Sequence, residues 1–121
     1  MTPVELARAG SEAIRALNHA TLGLAQPGYE WPADVDAAIA ELQVLAERLP
    51  QALRQASSWL ELQHSQQQVG HDLGFDVALS IRWALEDLAM TAGYAGLLAG
   101  MLGRVRSHTA HLTGVVERSI P

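Results

Sequence analysis

The chain has 121 residues, 49 % of them hydrophobic, no cysteine and a formal net charge of −5. That length and composition support one domain with its own core, and the missing cysteine excludes disulfides, thiol chemistry and zinc–cysteine sites. All eight basic residues are arginine, which excludes a P-loop lysine and Schiff-base catalysis, while the acidic balance argues against a nucleic-acid binder, whose affinity rests on neutralising phosphates.

The opening, MTPVELARAG, has no basic leader and no continuous apolar run, so the reading is a cytoplasmic protein without a signal peptide. Thr2-Pro3-Val4-Glu5 is a capping-box pattern with proline at the first helical position. It predicts a helix from Pro3 to Leu24, with an apolar stripe of Leu6, Gly10, Ala13, Leu17, Ala20 and Leu24 broadened by Ile14. Gln26-Pro27-Gly28 ends it. The connector PGYEWP places Tyr29 and Trp31 where aromatic rings fold back as a lid over a bundle end; stacking a ligand is the alternative.

A second helix is predicted from about Ala33 to Gln67. The carboxylates of Asp34 and Asp36 suit the positive end of its dipole. Its stripe of Val35, Ile39, Leu42, Ala46, Leu49, Leu53, Ala56 and Leu60 steps 4, 3, 4, 3, 4, 3 and 4. Pro50 lies inside that series and must kink or divide the helix. Because the stripe keeps its phase across Pro50, one kinked helix is the reading. Gly70 and Gly74 mark the following turn, and Asp76 is the N-cap of a third helix. That helix is read to Gly114, with a break at Gly103 or Gly114 as the alternative.

The third helix carries Leu88 to Gly103, sixteen residues without a charge. Gly93, Gly96, Gly100 and Gly103 recur there at helical spacing, each costing about 1 kcal/mol against alanine in a helix interior. Close approach of another helix is the expected compensation. Beside them run Leu85, Leu88, Ala92, Ala95, Ala99 and Leu102 in heptad steps. The remaining side carries Met90, Tyr94, Leu97, Leu98, Met101 and Val105. A helix apolar all round is a buried one. At sixteen residues between Asp87 and Arg104 the run is short of the roughly 20 that a membrane span needs, so burial against protein is preferred over a membrane.

Chemistry-bearing patterns are sparse. Glu61-Leu-Gln-His64 has the E-x-x-H spacing of di-iron bundles, but no second such motif accompanies it, and a solvated helix face is the plainer reading. His108 and His111 are candidates for a shared metal with Glu117 nearby. Two imidazoles alone make an incomplete site, so no metal and no cofactor are assigned. The serines lack a nucleophile elbow and there is no phosphate-binding glycine loop; no catalytic role is assigned and the chain is read as a non-enzyme. Trp59 and Trp83 lie beside the long apolar stripes, as core-edge packing or as interface anchors. Arg104, Arg106 and Arg118 form a modest basic patch.

The stretches Tyr29-Glu-Trp-Pro-Ala-Asp-Val-Asp, Glu41-Leu and Leu49-Pro-Gln-Ala-Leu-Arg-Gln-Ala-Ser-Ser-Trp-Leu-Glu resemble a group of small all-helical proteins from high-GC Gram-positive bacteria. The resemblance implies an origin and a helical fold rather than an activity.

These observations predict an all-α domain spanning 1–121: a long antiparallel hairpin with the first helix packed along it, a three- to four-helix bundle completed by oligomerisation. A third helix cannot cover one that is apolar on every side, and large exposed apolar patches mark association surfaces. The functional expectation is a non-enzymatic interaction or scaffold module, self-associating as a homo-oligomer, foremost a dimer, with a separate protein partner as a further option. Its interface would comprise Gly93, Gly96, Gly100, Gly103, Tyr94, Leu97, Met101, Trp59 and Trp83, and Gly96→Leu should dissociate it. The alternative is a bundle that binds a small ligand or metal near His108, His111 and Trp59 or Trp83.

Overall fold

Thr2 opens the first helix as its pattern predicts, its hydroxyl accepting from the backbone N–H of Glu5 at 3.1 Å. The computed structural model describes residues 1–23 and 28–115, and these form three helices, α1 (Pro3–Ala20), α2 (Pro32–Ser65) and α3 (Val77–Thr109), with no strand among the described residues. The chain is all-helical. α1 ends earlier than its stripe suggested, with Thr21 as its C-cap, whose hydroxyl donates back to the Leu17 carbonyl at 2.9 Å. The expected final stripe residue, Leu24, lies outside the described residues.

The start of α2 is fixed by Asp34. Its Oδ2 accepts from the backbone N–H groups of Glu30 and Trp31 at 3.1 and 2.9 Å, holding the entry at the positive end of the helix dipole. α2 then runs unbroken through Pro50. Its stripe keeps a single phase, so the residues on either side of the proline contribute to one face. The turn after Ser65 needs left-handed backbone at Gln67 (φ 57°) and Gly74 (φ 73°), the latter a position that glycine fills without a Cβ penalty. Asp76 caps α3 by accepting from the Leu79 N–H at 3.1 Å. α3 passes straight through Gly103 and stops at Thr109, without the break considered at that glycine or the extension to Gly114.

α2 and α3 pack as an antiparallel hairpin. Among the described residues, the buried hydrophobic ones are Ala46 from α2 and Ile81, Ala92, Ala95 and Ala99 from α3, flanked by half-buried Leu42, Leu53, Leu60, Leu85, Leu88 and Leu102. This inner seam is the heptad stripe, and its alanines let the two backbones approach while the leucines supply apolar area.

The close approach expected at the glycine stripe is not supplied by α2. Among the described residues, a Cβ added at Gly93, Gly96 or Gly100 would meet no atom within 4 Å; at Gly103 it would meet the Gln43 amide at 3.1 Å. Those first three glycines sit roughly a quarter turn from the alanine seam at 3.6 residues per turn. Turning them toward α2 would remove the leucines from the seam. One expectation needs correction: α1 is not packed along the hairpin. Among the described residues, no Cα of α1 lies within 8 Å of α2 or α3, and α1 buries no residue. Its stripe contains Gly10, Ala13 and Ala20, so only Leu6, Ile14 and Leu17 offer sizeable apolar area.

Candidate functional site: the outer face of the third helix

The side of α3 opposite the alanine seam is apolar and open. Trp83, Met90, Tyr94, Leu97 and Met101 are each between 57 % and 63 % exposed. They share a face because each follows the last by three, four or seven residues. Gly93 and Gly100 border that face, so it is low on one flank; Leu98 and Val105 rise on the other. Asp87 and Arg104, both exposed, stand on the same face at opposite ends of the apolar run.

Of the sequence-predicted interface residues, Trp83, Tyr94, Leu97 and Met101 are brought onto one face. Trp59 is not. It projects from the other side of α2 and lines, with Ala52, Ala56 and Leu60, an apolar trough of about 700 Å³ whose far wall is Pro3, Leu6 and Ala7 of α1. Gly96 faces the flank between the open face and α2, and Gly103 abuts Gln43.

The histidine pair does not assemble. His108 lies in the last turn of α3 beside Met101, Arg104 and Val105, while His111 falls beyond the C-cap Ala110. The shared helical face needed for two imidazoles on one metal is therefore missing. Glu117, the suggested third ligand, lies outside the described residues, as does Arg118 of the basic patch, and among the described residues no three of His, Asp and Glu cluster closely enough to hold a metal. Nor do the tryptophans join these histidines. Trp83 and His108 are separated along α3 by about 38 Å at 1.5 Å per residue. Glu61 and His64 line a shallow groove at the hairpin end with Ser65, Ile81 and the ion-paired Arg82 and Glu86.

One polar cluster escaped the sequence reading. Arg106 Nη2 and Nε donate to Asp36 Oδ2 and Oδ1 at 3.3 and 3.4 Å, and the Thr109 hydroxyl donates to Oδ1 at 2.7 Å. The Thr109 and Arg106 hydrogen bonds, in that order, hold the Asp36 carboxyl below its ordinary 3.8 against the opposing effect of desolvation. The available signal was that the inner-seam phase continues to Thr109. Asp36 was read only as a helix-dipole residue, and Arg106 only as part of a basic patch. Nearby, the Trp31 ring lies so close to Gly114 that a Cβ there would come within 2.7 Å of Cζ3, which places this ring over the chain leaving α3.

Comparison with protein-family models, curated proteins and solved structures finds no match. Function must therefore be argued from surface and packing. α3 is long and apolar enough to cross a membrane by length and composition, with a mean hydropathy of 1.2 over its apolar window. Beside that window, however, α2 presents Glu41, Glu47, Arg48 and Arg54, all exposed.

Proposed function

We propose that the chain is a non-enzymatic self-association module whose helical bundle is completed by another copy seated on the outer face of α3. The observation that carries this is the surface left open. The chain exposes 9794 Å², whereas a folded monomer of 13.0 kDa is expected to expose about 6,300 Å². The excess, about 3,400 Å² on that scaling, is shared with α1, which buries no residue. Part of it is the row from Trp83 to Met101, in a patch of the kind that marks association surfaces.

Membrane insertion fits less well. Taking α3 into lipid would carry along its partner α2, and each of four charges would cost about 2.5–3.5 kcal/mol near the bilayer centre. In water those charges face solvent and keep the hairpin soluble, so association in solution is the reading we adopt, and a cytoplasmic location accords with it.

Sedimentation velocity at micromolar concentration tests the proposal. The wild-type chain should run as a dimer or larger, and Leu97→Asp, which puts a charge in the middle of the open face without touching the inner seam, should return it to a monomer. Leu97 is a sharper choice than Gly96→Leu, because Gly96 is turned toward the flank. A wild-type chain that stays monomeric at tens of micromolar overturns the proposal.

A second reading, small-ligand binding, is favoured by the α1–α2 trough rather than by the histidines. Its apolar lining around Trp59 and Leu6 suits an apolar molecule. Native mass spectrometry separates the readings: extra mass retained on the chain supports a ligand, and a clean multiple of the chain mass supports assembly.

A further inference from the structure

The outer face of α3 carries a second heptad series, unbroken and entirely exposed. Trp83, Met90, Leu97 and Arg104 recur every seven residues, and Asp87, Tyr94, Met101 and His108 recur every seven between them. Consecutive members therefore step 4, 3, 4, 3, 4, 3 and 4, the spacing of a coiled-coil seam with the first set at d and the second at a. α3 thus has two seams: an inner one of alanines and leucines taken by α2, and an outer one with nothing against it among the described residues.

The charges on the outer seam discriminate between orientations. In a parallel pair of α3 helices, a packs beside a and d beside d. Asp87 would then face Asp87 of the second copy, and Arg104 would face Arg104. Both contacts are repulsive. In an antiparallel pair, a packs beside d. A single register, centred between Ala95 and Gly96, satisfies the whole series at once. It puts Tyr94 against Leu97 of the second copy, Met90 against Met101, Asp87 against Arg104 and Trp83 against His108. Each contact occurs twice by symmetry, giving an apolar centre closed at both ends by an opposite-charge pair. A surface complementary to itself under a two-fold rotation is what an isologous dimer requires.

We infer that the occupant of this face is a second copy of the same chain, lying antiparallel along α3 in that register, with Asp87 and Arg104 as its orientation-setting pair. The inference rests on the self-association proposed above and adds to it the partner's direction and register. The flank formed by Gly93 and Gly100 lets the partner backbone settle close beside the seam, which gives those glycines a role that the intramolecular packing does not.

Because the natural sequence has no cysteine, single introduced thiols report the register directly. A mixture of Met90→Cys and Met101→Cys chains, mildly oxidised, should form the mixed disulfide-linked dimer. Met101→Cys alone should stay uncrosslinked, since its two copies would lie about 16 Å apart along the axis, beyond the roughly 7 Å Cα limit for a bridge. Self-crosslinking of Met101→Cys would mean a parallel pair and overturn the inference. So would a chain that sediments as a dimer while the mixture fails to crosslink; in both cases the self-association reading survives. A monomeric wild-type chain removes both.

Charge exchange provides a readout independent of thiol chemistry. Asp87→Arg should weaken the dimer about tenfold at low salt, as two attractive contacts become repulsive. The double variant Asp87→Arg, Arg104→Asp should restore it, and the single-variant effect should shrink as salt rises. In a parallel dimer the double variant would gain nothing, and that result overturns the inference. Both residues are exposed and outside the inner seam, so helicity by circular dichroism should be unchanged.

Discussion

Asp36 shows how one side chain ties the ends of a long hairpin. It projects from the first turns of α2 and gathers Arg106 and Thr109 from the last turn of α3, fixing the register where fraying would otherwise begin. A carboxyl whose folded-state pKa is depressed adds stability above its ordinary 3.8, and that stability is lost as pH falls through the lower folded value. Asp36→Asn should therefore melt at a lower temperature than wild type at pH 7, and the gap should narrow once pH drops below the carboxylate range. Thermal melts at pH 7 and pH 3 check this. An equal gap at both pH values would mean that packing, not charge, is responsible. The substitution also leaves Arg106 with a weaker acceptor while keeping the Thr109 contact, so it isolates the ionic part of the cluster.

At the scale of elements, Pro50 is the informative position. A proline inside a helix forfeits the hydrogen bond to the carbonyl four residues back and crowds it, yet α2 continues through it and its stripe stays in phase. If nothing in the hairpin needs the proline, Pro50→Ala should stabilise the chain by about 1–3 kcal/mol, read as a higher denaturant midpoint with unchanged slope. A loss of stability would mean that the backbone geometry around the proline is needed for the inner seam. The phase of this stripe, like the caps at Thr2 and Asp76, was legible because local chemistry decides it: a hydroxyl or carboxylate facing free N–H groups, and apolar residues every three or four positions. What periodicity does not give is the identity of the neighbour. On α3, the glycine row, the alanine–leucine row and the Tyr94–Leu97–Met101 row are all helical in spacing, and α2 selects the row with both small residues and leucines. A bare glycine backbone allows a close approach, but within the chain the larger apolar area of the leucines decides which row α2 covers. The same limit applies to the histidines. Spacing alone put His108 and His111 one turn apart, and the helix ends between them.

At the scale of the whole molecule, the small number of buried side chains sets the terms. Among the described residues, five buried hydrophobic residues, four of them alanine, form a thin core for a hairpin with two helices of 34 and 33 residues, and α1 adds nothing buried to it. The fold class was readable from sequence, whereas the stand-off of α1 was not, because its stripe has the right period and too little area behind it. The division of labour that follows is testable by deletion. Removing residues 1–23 takes away α1 but no residue of either seam of α3, so the remaining hairpin should associate as the full chain does. Far-UV ellipticity should fall in proportion to the 18 residues of α1 among 85 helical ones, and the melting temperature should move by less than about 4 °C, the shift expected for roughly 1 kcal/mol in a domain of this size. A larger collapse of helicity would mean that the trough beside Trp59 closes in solution, with Leu6 of α1 completing a core on that side of α2. Unchanged melting with loss of the dimer would instead place the association surface on α1, where Leu6, Ile14 and Leu17 also form an apolar stripe.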